Sequence, residues 1–271
     1  MGLRGWIMIM WKPKITWPIT CRPTLLCNSN FWQNSWKMLL HIFLPNTCYS
    51  CKCDLHWKDA APLCPTCQNK VQQVGPLYCL RCGKPLPDGG AHCYQCRGGK
   101  AEQYKCKIIR SAVVFGPQVR ELIHSFKYAD QSYLADFLAG WMNEAWDKYP
   151  DLADAQLIIP VPLYKKKQKQ RGYNQSELLA RILAKNRNLP LDTTSLVRSR
   201  NTPSQTKFGR EGRLENMTGA FTCINTPVVK GKIVLLIDDV ATTGATLEGC
   251  AQALKEGGAK KVIAYTLARE V

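Results

Sequence analysis

The sequence predicts an α/β protein in which a parallel sheet flanked by helices follows a small cysteine-rich module, and three observations predict it. Between residues 107 and 271 short β-rich runs alternate with stretches of helical length. Four Cys-x-x-Cys pairs stand between residues 48 and 96. One uninterrupted apolar run, residues 233–237, ends in two acids and a loop of small and hydroxyl residues. Strand and helix in alternation argue a parallel sheet covered on both faces. In such sheets ligands bind beyond the carboxyl ends of the strands.

Composition divides the 271 residues into three parts. The formal net charge is +17, from 37 Lys and Arg against 20 Asp and Glu. Residues 1–44 hold five basic residues and no acid; residues 45–106 hold eight against four; residues 107–271 hold the other 24 against 16. Within the last part, Lys165 to Arg213 alone carries 13 basic residues against Glu177, Asp192 and Glu211, so the charge is local. An excess of this kind suits an anionic partner such as nucleic acid or a phosphorylated metabolite.

Residues 1–37 contain five of the eight Trp and sustain neither a helical nor a strand period. The apolar stretch from Trp6 to Trp11 is too short for a secretory signal and is followed at once by Lys12 and Lys14. Segment 1–44 is therefore expected to be a basic, Trp-rich, disordered extension or the product of an early start, with Met38 as the alternative first residue. No uncharged apolar run approaches the roughly 18 residues of a bilayer crossing, so no membrane span is expected.

Segment 45–106 holds the pairs Cys48/Cys51, Cys64/Cys67, Cys79/Cys82 and Cys93/Cys96. Each pair on a tight turn aims two thiolates at one tetrahedral metal, and two such turns close a zinc site. Eight ligands predict a double zinc ribbon with two structural Zn2+ ions. The simplest pairing is sequential; a cross-braced one uses the same ligands. Cys53, Cys106, Cys223 and Cys250 remain outside the pairs, and zinc thiolates beside free thiols predict a reducing, cytoplasmic compartment.

Segment 107–271 reads as strands at 108–115, 156–161, 233–237 and 261–267, with helices at 119–126, 133–146, 174–185 and 245–255. Residues 233–237 lead into Asp238 and Asp239, then Ala241-Thr242-Thr243-Gly244-Ala245-Thr246. A loop of this composition entering a helix gathers backbone N–H groups and the positive helix end where a phosphate docks. The paired acids suit the hydroxyls of a cis diol. Phosphate and diol at that separation describe ribose 5-phosphate.

The segment from Ile237 to Gly244 resembles the phosphoribosyl pyrophosphate (PRPP) motif of type I phosphoribosyltransferases. More narrowly, Ile159-Pro160-Val161-Pro162-Leu163 followed by Arg171-Gly172-Tyr173-Asn174-Gln175 is similar to the ComF/GntX family of competence and DNA-utilization proteins. The cysteine module and the stretch from Val197 to Phe221 continue the likeness, which runs from about Met38 to the end. The resemblance implies a type I phosphoribosyltransferase-like domain at 107–271, in which Asp238 and Asp239 hold the ribose hydroxyls and serve catalysis. Ala241, Thr242, Thr243, Gly244, Ala245 and Thr246 would hold the 5′-phosphate. Lys165, Lys166, Lys167, Lys169, Arg171 and Gly172 form a loop where pyrophosphate or a DNA backbone binds. Arg198, Arg200, Gln205, Lys207, Arg210 and Arg213 belong to a flexible loop that closes over substrate, and Mg2+ would accompany PRPP.

The resemblance further implies a part in using incoming single-stranded DNA during natural transformation, with PRPP, single-stranded DNA and other competence proteins as partners. Two alternatives stand beside it: an active phosphoribosyltransferase of nucleotide metabolism, and a non-catalytic single-stranded DNA-binding protein. The second rests on the basic run 165–171 bracketed by Tyr164 and Tyr173, which would track phosphates and stack bases. The acid pair discriminates, since on this reading it would repel a DNA backbone. No residues suggest an acceptor pocket, so turnover is left unassigned, as is oligomeric state.

Overall fold

The computed structural model describes residues 46–56, 61–98, 100–128, 131–200 and 219–271, and among these six strands and five longer helices set the fold. The strands are β1 (Cys106–Val114), β2 (Leu157–Pro160), β3 (Leu196–Arg198), β4 (Phe221–Cys223), β5 (Ile233–Ala241) and β6 (Lys261–Arg269). The helices are α1 (Pro117–Tyr128), α2 (Leu134–Trp146), α3 (Lys165–Arg171), α4 (Gln175–Arg187) and α5 (Ala245–Glu256). All described residues belong to the unit Pro45–Val271, which is distinct from Met1–Leu44. The Trp-rich segment and Met38 lie outside the described residues.

Four strands form a parallel sheet in the order β1-β6-β5-β2, and β3 pairs antiparallel with β4. The middles of β2, β5 and β6 are apolar because both faces of the sheet are covered. Leu235, Ile237, Ile263 and Tyr265 pack with α1, α2 and α4 on one face; Val234, Leu236, Val262 and Ala264 pack with α5 on the other. That division follows the two-residue period of an extended chain.

Two expectations change. The strand read as 233–237 continues to Ala241, so both acids lie within β5 instead of after it. The basic run 165–171, expected to be a loop, is the helix α3, which ends where Gly172 turns left-handed at φ +80°. Lys169 and Arg171 occupy its last turn, where cations suit the exposed carbonyls and the helix dipole. The β3–β4 pair is new; its short strands carry too little pattern to be read from sequence.

The cysteine-rich module covers the outer edge of β1. Val74 N–H donates to Ala112 O, Val114 N–H to Gln72 O (2.8 Å) and Ile109 N–H to Arg81 O (2.8 Å), which fills an edge that would otherwise present unpaired backbone groups. Arg110 reinforces the join, stacking over Tyr78 at 4.9 Å and binding Asp151 through two nitrogens at 3.0 and 2.5 Å. Gly83 makes the closest approach: a Cβ there would stand 2.5 Å from Ile109 O, and its φ is +67°. Gly89, at φ +78°, has open space around it. Gly89→Ala is thus expected to cost only the left-handed penalty of about 1 kcal/mol. Gly83→Ala adds a backbone clash and should cost at least about 2 kcal/mol, measured by urea unfolding of the zinc-loaded protein.

Candidate functional site

The acids at the carboxyl end of β5 are each matched. Lys127, at the end of α1, places its Nζ 2.6 Å from Asp239 Oδ2. Ser176 Oγ donates to Asp238 Oδ1 at 2.9 Å, and the Asp239 N–H donates to the same oxygen at 2.9 Å. Burial first, and then the charge of Asp239, push the Asp238 carboxyl up to about 7, against the pull of Ser176 and Lys127. Burial works against the Lys127 ammonium, but Asp239 outweighs it and raises its pKa. One carboxylate is therefore neutralised by an ion pair and the other is drawn toward its protonated form. The site does not present two free negative charges, so the expected repulsion of a phosphate backbone is much weakened.

Lys127 and Ser176 were not singled out from sequence. They reach the acids through the segment Arg171–Ser176, which ties the end of α1 to the start of α4. Asn174 caps α4, accepting from Ser176 N–H while donating to Val161 O at 3.0 Å. Tyr173 Oη (2.7 Å) and Gln175 Nε2 (3.3 Å) both donate to Phe126 O, next to Lys127. Arg171 donates to Gln175 Oε1 and Tyr128 Oη. Tyr173 is thereby committed to packing against Phe126 and is not a free stacking platform, which corrects its expected role. Tyr128, 64% exposed and covered by the Arg171 guanidinium at 5.1 Å, is the aromatic beside the cations.

Beyond the acids, Ala241 to Thr246 carries the chain from β5 into α5. Gly244 caps α5 at φ +80°, and a Cβ there would meet Ile109 Cδ1 at 3.2 Å. The buried Arg269 guanidinium, also missed from sequence, donates to the carbonyls of Ala241 (2.6 Å) and Thr242. Because C=O and N–H of a trans peptide point oppositely, the N–H groups of Thr242 and Thr243 face away from Arg269. Together with the start of α5 they provide donors for an anion. A charged residue ending the closing strand was the one available signal for Arg269.

A cleft lined by Lys127, Tyr128, Lys167, Lys169, Gln170, Arg171 and Gly172 adjoins the acid pair. Of the basic run, Lys167, Lys169, Arg171 and Gly172 line this cleft, whereas Lys165 and Lys166 are exposed outside it. Burial, then the charges of Arg198 and Arg171, hold the Lys167 pKa below its ordinary value. Burial also lowers that of Arg198, with Cys250 and Asp238 opposing. The two basic segments thus converge near Asp238 although they are separated in sequence. Arg200 is exposed, and Gln205, Lys207, Arg210 and Arg213 lie outside the described residues.

The eight module cysteines form two clusters, Cys48, Cys51, Cys64, Cys67 and Cys79, Cys82, Cys93, Cys96, with the sulfurs in each within 4.8 Å of one another. The pairing is sequential. Sulfur separations of 3.7 Å for Cys51–Cys64 and Cys82–Cys93 match the edge of about 3.8 Å that a tetrahedron with Zn–S near 2.3 Å requires. Both clusters fit structural zinc with four protein ligands. Cys53 stands 3.3 Å from Cys51 Sγ but outside the ligand set.

Residues 172–270 match the phosphoribosyl transferase domain family, and residues 39–97 match the double zinc ribbon domain family. The chain is 30% identical to Competence protein F of Haemophilus influenzae, over 82% of this chain and 96% of that protein. It is 28% identical to Competence protein ComFC of Bacillus subtilis, over 90% and 94%, and 27% identical to DNA utilization protein YhgH of Escherichia coli strain K12, over 83% and 98%. Among the described residues no helix is long and apolar enough to cross a membrane.

The raised Asp238 pKa has a consequence for stability. A carboxyl raised in the folded state favours the fold while protonated, and that advantage is lost as pH rises through about 7. Asp238→Asn removes the loss. Its stability relative to the parent protein should increase by more than about 1.4 kcal/mol, the worth of one pKa unit, between about pH 5.5 and about pH 8 in urea titrations.

Proposed function

The chain belongs to the ComF family of competence and DNA-utilization proteins, and from that premise we propose that its α/β part binds PRPP in the service of incoming single-stranded DNA. The observation that carries this reading is the sequence of three environments along one strand end: a held acid pair, a donor-rich loop, and a cationic cleft. Asp238 and Asp239 accept from the ribose hydroxyls, with Ser176 and Lys127 fixing their orientation. The N–H groups and hydroxyls of Thr242, Thr243 and Thr246 take the 5′-phosphate. Lys167, Lys169 and Arg171 take the pyrophosphate.

Mg2+ enters with the pyrophosphate, whose charge it neutralises. Asp239 already has Lys127 as its cation, and among the described residues only the two cysteine clusters gather three or more metal-ligating groups. The ion is thus read as part of the ligand, without a dedicated protein site. Transfer of the phosphoribosyl group to an acceptor is not part of this reading.

A second ligand class is favoured by one observation. Tyr128 is exposed within the cationic cleft, the pairing of aromatic and basic groups that single-stranded nucleic acid uses. The weakened charge of the acid pair leaves this groove open to a phosphate backbone, so both ligands can share it.

Calorimetry at about pH 8 separates the two. PRPP with Mg2+ should bind the parent protein, and Asp238→Asn/Asp239→Asn should lose about 100-fold in affinity, the worth of two charge-assisted hydrogen bonds. A short single-stranded DNA should bind both proteins within about threefold. No heat with PRPP, together with equal DNA binding by both proteins, would sink the ribose-phosphate reading.

A further inference from the structure

The second zinc knuckle lies against the helix that carries the phosphate loop. Within it Arg81 stands between ligands Cys79 and Cys82 and is 5% exposed. Its guanidinium lies 3.5 Å over the Tyr104 ring, and its Nη2 is 3.4 Å from Glu248 Oε2 and 3.3 Å from Cys106 O. Glu248 belongs to the first turn of α5, and its backbone N–H closes onto Gly244 O at 2.9 Å. Its carboxylate also accepts from Lys105 N–H at 2.5 Å and Cys106 N–H at 3.1 Å. The Arg81 carbonyl receives Ile109 N–H, and Ile109 Cδ1 is the atom that closes the space beside Gly244.

A carboxylate one turn inside a helix opposes an anion bound at that helix's start, because it adds negative charge where phosphate needs positive potential. Glu248 holds the chain entering β1 through the N–H groups of Lys105 and Cys106, and with its side chain only 17% exposed its charge is best offset by a nearby cation. Arg81 is that cation, and its position is set by the zinc knuckle.

We infer that Arg81 is a positioning residue of the phosphate site: it neutralises Glu248 and holds the start of α5, so that the second zinc ribbon sets the affinity of the loop Ala241 to Thr246 for a ribose 5-phosphate group. The inference rests on the PRPP reading of that loop. It gives the closed zinc cluster a role in ligand binding without any metal–ligand contact.

The test uses the full zinc-loaded chain and measures affinity for ribose 5-phosphate and for inorganic pyrophosphate by calorimetry, with zinc content measured alongside. Arg81→Met should keep two zinc ions and lose about three- to tenfold in ribose 5-phosphate affinity, because Glu248 is unmasked. Glu248→Gln, which leaves the ribbon untouched, should gain affinity by a similar factor. Pyrophosphate affinity, governed by α3, should stay within about twofold in both. Opposite directions distinguish a charge effect from a scaffold role, which would lower both. Arg81→Met binding like the parent with zinc retained, or Glu248→Gln binding equally or more weakly, overturns the inference; if Arg81→Met loses zinc, Glu248→Gln alone decides. Failure of the parent protein to bind ribose 5-phosphate or PRPP overturns the binding reading and this inference with it.

Discussion

The pairing of Lys127 with Asp239 is the constraint around which the rest of the site is arranged. Two adjacent carboxylates at the end of a buried strand are costly, since desolvation and mutual repulsion both penalise their charged forms. Lys127 offsets one of them. It can do so only because the end of α1 is held by hydrogen bonds from Tyr173 and Gln175 to Phe126 O, and those residues are in turn aligned by the Asn174 cap of α4. The segment Tyr173–Ser176 is thus a bracket, and Arg171 before it lines the cleft. Removing Lys127 would strand a largely buried carboxylate, a loss of about 3–5 kcal/mol where no other cation can move in.

The zinc module answers a different difficulty, the open edge of a four-stranded parallel sheet. The edge strand β1 has β6 on one side and residues 72–74 and Arg81 on the other. Because Ile109 is fixed by Arg81 O and its Cδ1 closes against Gly244, the edge cover and the loop from Ala241 to Thr246 are two layers of one packing arrangement. Arg269 completes the enclosure from β6 by holding the loop carbonyls. If zinc orders the module, as four-thiolate clusters of this kind require, that order reaches the loop through this packing, with no ligand passing between them.

Much of this was legible in the sequence, for identifiable reasons. The Cys-x-x-Cys spacing specifies tetrahedral thiolate sites by itself, and the apolar runs of β5 and β6 report strands buried on both faces. The acid pair and the glycine at residue 244 were readable because few other contexts require them. The sequential pairing of cysteines was not, since both pairings use the same ligands and only the chain path chooses. Lys127, Ser176 and Arg269 were hidden because each is an ordinary residue in its own element and becomes functional only through contacts more than 25 positions away in sequence. The 165–171 run misled for a related reason: four lysines and an arginine in seven residues suggest a solvated loop, yet Lys and Arg are good helix formers and the left-handed Gly172 gives the helix its stop.

The distribution of charge now bears on the ligand more closely than the net value did. Arg198 and Arg171 come from two segments yet both depress the Lys167 pKa, after burial, so the fold holds like charges together at a cost that free solvent would not impose. Such an arrangement is favourable only when a multivalent anion arrives, because each added negative charge relieves several repulsions at once. The acid pair stands beside that cluster with its own charge largely compensated. A compact, highly charged anion carrying a neutral diol satisfies both halves together, whereas a simple phosphate satisfies only the cations. The same logic admits a nucleic-acid strand along Tyr128 while leaving the Asp238 and Asp239 oxygens without hydroxyl partners, since a deoxyribose strand lacks the cis diol. On the proposed reading the acid pair therefore separates a phosphorylated ribose from DNA, whereas the cations along α3 suit either.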